Sequence, residues 1–154
     1  MKRVNFIEDL GRAMMDLSNE QILFHQAIAD SLDLNITDHK CVNLISRFGP
    51  MTAGKLAELT GLTTGAITGV IDRLEKGGYA KRKPDPRDRR VTIIELTKKG
   101  VTIRKIFSPL VKNMGAVLEV FSDKELSLIL KFVKLAAQTS REATKELRKN
   151  SKRP

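Results

Sequence analysis

The segment "TGLTTGAITGVIDRLEKGGYAKRKPDPRDRRVTIIELT", residues 60–97, changes its periodicity halfway, and that change decides the fold. Up to Lys76 the apolar residues Ile67, Val70, Ile71 and Leu74 recur at helical spacing. Beyond it, "YAKRK" and "VTIIELT" read as two short strands joined by the polar, proline-bearing "PDPRDRR". Thr63 is placed to cap the helix, and Gly77-Gly78 to end it. A helix that runs at once into a hairpin is half of a winged helix-turn-helix.

The helix itself holds a conflict. Gly65 and Gly69 each cost about 1 kcal/mol relative to alanine in a helix interior. With Gly65 set at zero and about 100 degrees per residue, Val70, Leu74, Ile67 and Ile71 cluster between roughly 140 and 240 degrees. Thr68, Asp72, Gly65, Lys76, Gly69, Arg73 and Ala66 fall between roughly −60 and 100 degrees. The core stripe is intact, and both glycines lie on the solvent face. A helix without bulk there can press its backbone against another surface, and its threonines can bond bases or phosphates. The Thr63-Thr64 end also offers free amides and the positive end of the helix dipole to a phosphate.

The hairpin loop "KRKPDPRDRR" carries six bases and two acids in ten residues. Pro84 and Pro86 stiffen it, and Asp85 can bond loop amides or a nearby arginine to shape the tip. Arginines at such a tip suit a narrow minor groove, where negative potential is enhanced.

Upstream, Ile7, Leu10, Met14, Leu17, Phe24, Ile28 and Leu32 predict one long amphipathic helix over residues 6–32, bent near Ser18-Asn19. Thr37 is the expected N-cap of a second helix, "DHKCVNLISRF", and Thr52 that of a short third, "AGKLAELT", stopped by Gly61. Downstream, "KKGVTIRKIFSPLVKNMGAVLEVF" predicts a long helical stretch bent at Pro109. Ser122 and Glu125 form a capping box for a last helix with Leu126, Ile129, Leu130, Val133 and Ala136 on its apolar face.

The fold expected is mainly α with a small β-hairpin wing. A winged helix-turn-helix over residues 36–99 is flanked by long N- and C-terminal helices over 1–35 and 100–148, with a basic tail over 149–154. The outer helices are more apolar than that core requires, which predicts a homodimer through them.

Charge and composition agree with a nucleic-acid partner. The net charge of +10 is unevenly spread. Residues 1–51 hold 5 Lys/Arg against 7 Asp/Glu, residues 52–99 hold 11 against 6, and residues 100–154 hold 12 against 5. A directed positive surface makes double-stranded DNA the first partner to consider. No apolar run nears the roughly 20 residues of a membrane helix, so no membrane partner is expected. Glu8 and Asp9 interrupt the basic N-terminus before any apolar core, unlike a signal peptide. A single cysteine permits no intramolecular disulfide and fits a cytoplasmic setting.

Other chemistries find little support. Gly49-xxxx-Gly54-Lys55 nearly spells a phosphate-binding loop, but Leu56 stands where magnesium needs Ser or Thr, which leaves a nucleotide-binding protein as a remote alternative. Cys41 reads as a core thiol rather than a redox switch. His39 and Cys41, two apart, face different ways, so no metal site is expected. No nucleophile, base and orienting group occur together, so neither enzyme activity nor a cofactor is expected. A winged-helix protein-interaction module that never touches DNA is the different-class alternative, opposed by the six bases of the wing.

Residues 52–99 resemble the MarR family of bacterial and archaeal transcription regulators. The resemblance is carried by "IDRLEKGGYAKR", "DPRDRR" and "LTKKG" at this spacing within "LAELTGLTTGAITGVIDRLEKGGYAKRKPDPRDRRVTIIELTKKG". It implies a dimer formed by the first and last two helices, with recognition helices in successive major grooves of a pseudo-palindrome. It assigns base or backbone contacts to Thr63, Thr64, Gly65, Ala66, Thr68, Gly69 and Arg73, and the wing role to Asp85, Arg87, Arg89 and Arg90. Asp72 would repel phosphate, so it is expected to pair with Lys76 or an arginine. The resemblance further implies a repressor relieved by a small aromatic or anionic effector. That effector would bind a cleft drawing on the first, second and fifth helices, for which Arg12, Phe24, His25, His39 and Phe48 are candidates.

Overall fold

The computed structural model describes residues 3–150. Its elements are α1 (Arg3–Ser31), α2 (Ile36–Phe48), α3 (Ala53–Thr60), α4 (Thr64–Lys76), β1 (Ala80–Pro84), β2 (Thr92–Leu96), α5 (Lys98–Thr102), α6 (Ser108–Leu118) and α7 (Asp123–Asn150). A 3-10 turn, Ile103–Phe107, separates α5 from α6. The architecture is mainly helical with a two-stranded antiparallel hairpin, as the periodicity predicts. No described helix is long and apolar enough to cross a membrane.

The chain divides into two compact units, Met1–Ile106 and Phe107–Pro154. In the first, α2, α3, α4 and the hairpin close over one core. Leu56, Ile67, Ile71, Leu74, Ile94 and Val42 are all essentially inaccessible. Each such side chain contributes about 1.5–3 kcal/mol by leaving water. The four apolar residues of the α4 stripe are therefore what docks that helix. Cys41 lies in the same core.

The hairpin pairs Ala80 with Leu96 and Pro84 with Thr92. Met51 adds an isolated bridge to Ile94, its amide and carbonyl both bonded there at 3.1 and 2.8 Å. That bridge joins the entry of α3 to the wing. Thr52 and Thr63 cap α3 and α4 by accepting from the Lys55 and Ala66 amides, each at 3.2 Å. Gly61 ends α3 at φ 73°, in the left-handed region that favours glycine.

Past the hairpin, the Gly100 backbone packs so closely on the Tyr79 carbonyl that a Cβ would overlap it. Thr97 caps α5 there, and the Tyr79 hydroxyl donates to the Leu32 carbonyl at 2.8 Å. That last bond ties the start of the wing to the chain just beyond α1.

Two local expectations change. The N-cap of α2 is Asn35, not Thr37: the Asn35 side chain accepts from the Asp38 amide at 2.8 Å, and the helix has already begun at Ile36. The stretch after the hairpin breaks before Pro109 rather than bending at it. Pro109 sits in the first turn of α6, where its missing N–H removes no helical bond. The Ser122–Glu125 capping box is present, with the Glu125 carboxylate accepting from the Ser122 amide at 2.8 Å. Lys149 and Asn150 continue α7, whereas 151–154 of the expected tail lie outside the described residues.

Within α1, Phe6, Ile7, Leu10, Met14 and Leu17 remain exposed. Within the second unit, Leu110, Val117, Leu130 and Val133 do so as well. Neither α6 nor α7 contains a buried residue.

Candidate nucleic-acid interface

α4 presents its two faces as the sequence predicts. Ile67, Val70, Ile71 and Leu74 are buried, while Thr63, Thr64, Gly65, Ala66, Thr68, Asp72, Arg73 and Lys76 are exposed and Gly69 is half-buried. A Cβ at Gly65 would meet nothing within 4 Å. At Gly69 the nearest atom would be Arg73 Nη1 at 3.6 Å, an ordinary contact. Packing within this chain therefore demands neither glycine. Thr68 turns its hydroxyl back to the Thr64 carbonyl at 3.0 Å, which holds the side chain along the helix.

Arg73 is not a loose cation. Its Nε and Nη2 donate to Asp38 Oδ2 and Oδ1 at 2.8 and 2.7 Å. Asp38 is buried in the first turn of α2, and the bond holds the Arg73 guanidinium still higher above its ordinary range. Asp72 pairs with an arginine, as one of the two expectations had it. The partner is Arg82 of β1, which donates to Asp72 Oδ1 at 2.7 Å. Arg82 also pairs with Glu75, whose Oε1 accepts from the Arg82 amide at 2.7 Å. The base of the wing is thereby clamped to the second half of α4. Residue spacing could not disclose the pairing of Asp38 with Arg73 or of Arg82 with Asp72, whereas Asn35, three residues before Asp38, carries a local N-cap signal. Asp38 and Arg73, 35 positions apart, meet only when α2 and α4 pack.

In the wing, Asp85 Oδ1 accepts from the Arg87 amide at 2.8 Å, so the carboxylate shapes the loop as expected. Arg90 folds back on Asp88, donating from Nε at 3.1 Å and Nη2 at 3.0 Å, and this holds the Asp88 carboxyl below its ordinary range. Lys81 and Lys83 both face Glu95 across the hairpin. Arg87 and Arg89 are exposed and, among the described residues, engage no side-chain partner. The free positive charge of the wing thus concentrates at its tip. A phosphate-rich surface would meet two unpaired guanidinium groups there and a shaped, low-relief helix face beside them.

A second feature lies between α1 and α2, a cleft of about 360 Å³ whose walls include Ile22, His25, Ile36, His39, Lys40 and Asn43. Of the five pocket candidates it gathers two. His25 Nδ1 and His39 Nε2 share a hydrogen bond at 3.1 Å. Burial pushes the His39 imidazole below its ordinary value of 6.5, and His25 adds to that lowering. Phe24 lies outside the lining and meets the His25 ring in a T-shaped contact, centroids 6.1 Å apart. Arg12 pairs with Asp9 on the exposed face of α1, and Phe48 sits under Arg47 at the end of α2. Neither belongs to its walls. Burial, reinforced by the Asp38 carboxylate, pushes the Cys41 thiol up to about 11.

Comparison with known proteins agrees with this geometry. The MarR family model matches residues 34–92. Over 133 residues the chain is 42% identical to YcgE, an HTH-type transcriptional regulator of Bacillus subtilis, covering 86% of each chain. Among solved structures, Streptococcus pneumoniae FabT in complex with DNA superposes at a TM-score of 0.71 with 21% identity, covering 89% of this chain and 99% of that one. A MarR family protein from Bacillus stearothermophilus superposes at 0.70 with 20% identity, covering 92% and 99%.

Proposed function

The chain belongs to the MarR family of DNA-binding transcriptional regulators, and from that premise we propose that it works as a homodimeric repressor of a pseudo-palindromic operator, relieved by a small ligand. The observation that carries the reading is the outward face of α4. It offers Thr63, Thr64, Gly65, Ala66, Thr68 and Gly69 with almost no side-chain relief, beside a wing whose free charge lies at Arg87 and Arg89. α4 enters the major groove and its backbone approaches the bases, while the wing tip reaches the flanking minor groove. Arg73, Asp85 and Arg90 complete the interface. Asp85 and Asp88 hold the loop in shape, and Arg90 supplies a lesser share of charge because Asp88 already engages it.

Residues 1–35 and 100–148 act as the dimerisation helices and 36–99 as the DNA-binding domain. The exposed apolar residues of α1, α6 and α7 support this, since a stripe of that kind is stable in water only when covered. The α1–α2 cleft, with a basic Lys40 and apolar Ile22 and Ile36, suits a small aromatic or anionic effector. The protein functions in the cytoplasm, where its DNA is.

Selection of bound fragments from genomic DNA tests the reading directly. One sequence should be enriched and bound about a thousandfold more tightly than unrelated duplex. Light scattering at micromolar concentration should give twice the chain mass. Small aromatic acids should then release the selected fragment. A monomer, or equal affinity for all duplexes, overturns the proposal.

A further inference from the structure

The Asp38 carboxylate is 3% exposed, yet its partner Arg73 reaches the surface with 52% of its side chain accessible. A buried carboxylate is unstable without charged or hydrogen-bonded partners. Here it has two: the bidentate guanidinium at 2.8 and 2.7 Å and the Asn35 carboxamide, whose Nδ2 donates at 3.0 Å, while the Asp38 amide in turn donates to Asn35 Oδ1 at 2.8 Å. The position of this carboxylate is therefore set by the first turn of α2.

The geometry of the pair decides which part of Arg73 is left over. Nε and Nη2 form the side of the guanidinium plane, and both donate to Asp38. The remaining end carries the Nη1 hydrogens and one Nη2 hydrogen, two of which project in parallel. That end lies on the exposed face of α4, with Nη1 only 3.6 Å from where a Cβ at Gly69 would stand. Two parallel donors match two phosphate oxygens. Arg73 lies about 15 Å along the helix from its N-cap, where a helix that enters the groove by its N-terminus has climbed back toward the backbone.

We infer that Asp38 is a positioning residue for DNA binding: it grips one edge of Arg73 from beneath so that the other edge meets a backbone phosphate. This rests on the DNA-binding reading above. It assigns Asn35 and Asp38, neither of them on α4 or in the wing, to the setting of one DNA contact.

The test turns on a sign. Asp38→Asn is isosteric and removes a negative charge from beneath a DNA-facing helix, so Coulomb attraction alone predicts tighter binding. Positioning predicts weaker binding, by about tenfold, the size of one charge-assisted contact. The loss should be equal on the selected fragment and on unrelated duplex. Arg73→Gln should give a similar loss and lower the slope of log affinity against log salt by about 0.9. In the Arg73→Gln background, Asp38→Asn should cost nothing more. Unchanged or tighter binding by Asp38→Asn, or the same loss in both backgrounds, overturns the inference. A loss confined to the selected sequence overturns the phosphate assignment. Thermal melting shows whether Asp38→Asn is folded. If it is not, Arg73→Lys keeps charge and ion pair without the second edge, and wild-type affinity there overturns the inference equally. A wild-type protein that prefers no duplex fails at the earlier reading instead.

Discussion

Replacing Gly65 and Gly69 together by alanine should stabilise the protein and weaken its grip on DNA in the same molecule. In the free chain the added methyls find room: nothing lies within 4 Å at Gly65, and only Arg73 Nη1, at 3.6 Å, at Gly69. Both positions have ordinary helical backbone, so alanine introduces no strain. Each replacement then returns about 0.4–1 kcal/mol, through the entropy of the unfolded chain and helix propensity. At about 2–4 °C per kcal/mol for a chain of this size, the pair should raise the melting temperature by roughly 2–8 °C. If α4 approaches DNA by its backbone, the same methyls stand between helix and base edges. Blocking a good base contact costs about 1–3 kcal/mol, so affinity for the selected fragment should fall at least about tenfold. Differential scanning calorimetry and fluorescence anisotropy on one preparation read both quantities. A lowered melting temperature would show that the fold requires the glycines. A raised one with unchanged affinity would remove the close-approach argument. Gly69→Leu, with a larger obstacle, should abolish specific binding while the protein stays folded.

The remaining expectations concern charge and protonation. Arg89→Ala should weaken operator binding and flatten its salt dependence by about one phosphate contact, and Arg90→Ala, whose guanidinium Asp88 engages, should do so less; unchanged slopes for both would refute the wing role. Cys41, buried and with its thiol pushed up to about 11, should resist iodoacetamide at neutral pH in the native protein and react on unfolding, and rapid native alkylation would contradict its place in the core. His39 is held neutral in the fold, so the unfolded chain takes up its proton first as pH falls below 6.5. Its contribution to stability is present above that value and is lost as pH falls further, through the folded-state pKa. The denaturant midpoint should drop accordingly in acid, and His39→Gln should shrink that drop; an equal drop in the variant would assign it to other groups.

The architecture was open to sequence reading because its signals are local. The α4 stripe, the caps at Thr52 and Thr63, the Gly61 stop and the change of period at Tyr79 each act within a few residues, and each stands in the structure. Asn35 displaced Thr37 as a cap because two suitable side chains lay within one turn, and only the backbone path chooses between them. Likewise, Pro109 announced a discontinuity after the hairpin, but the 3-10 turn over Ile103–Phe107 that precedes it, following an α5 packed against β2, carries no such local signal.

What the sequence determined by itself, then, is which face of α4 is core and which is free, since a helix of known period fixes every side chain's bearing from spacing alone. It likewise put an excess of arginine in the wing. What the tertiary structure decided is which of those charges remain available. Asp38, 35 residues before Arg73, and Arg82, ten after Asp72, reach their partners only once α2, α4 and β1 are packed. Ion pairs form at distances of about 3 Å between groups far apart in the chain, and no periodicity encodes that distance. The glycines of α4 were legible as an anomaly from the first. That Arg73, four residues on from one of them, is gripped from below by Asp38 was not.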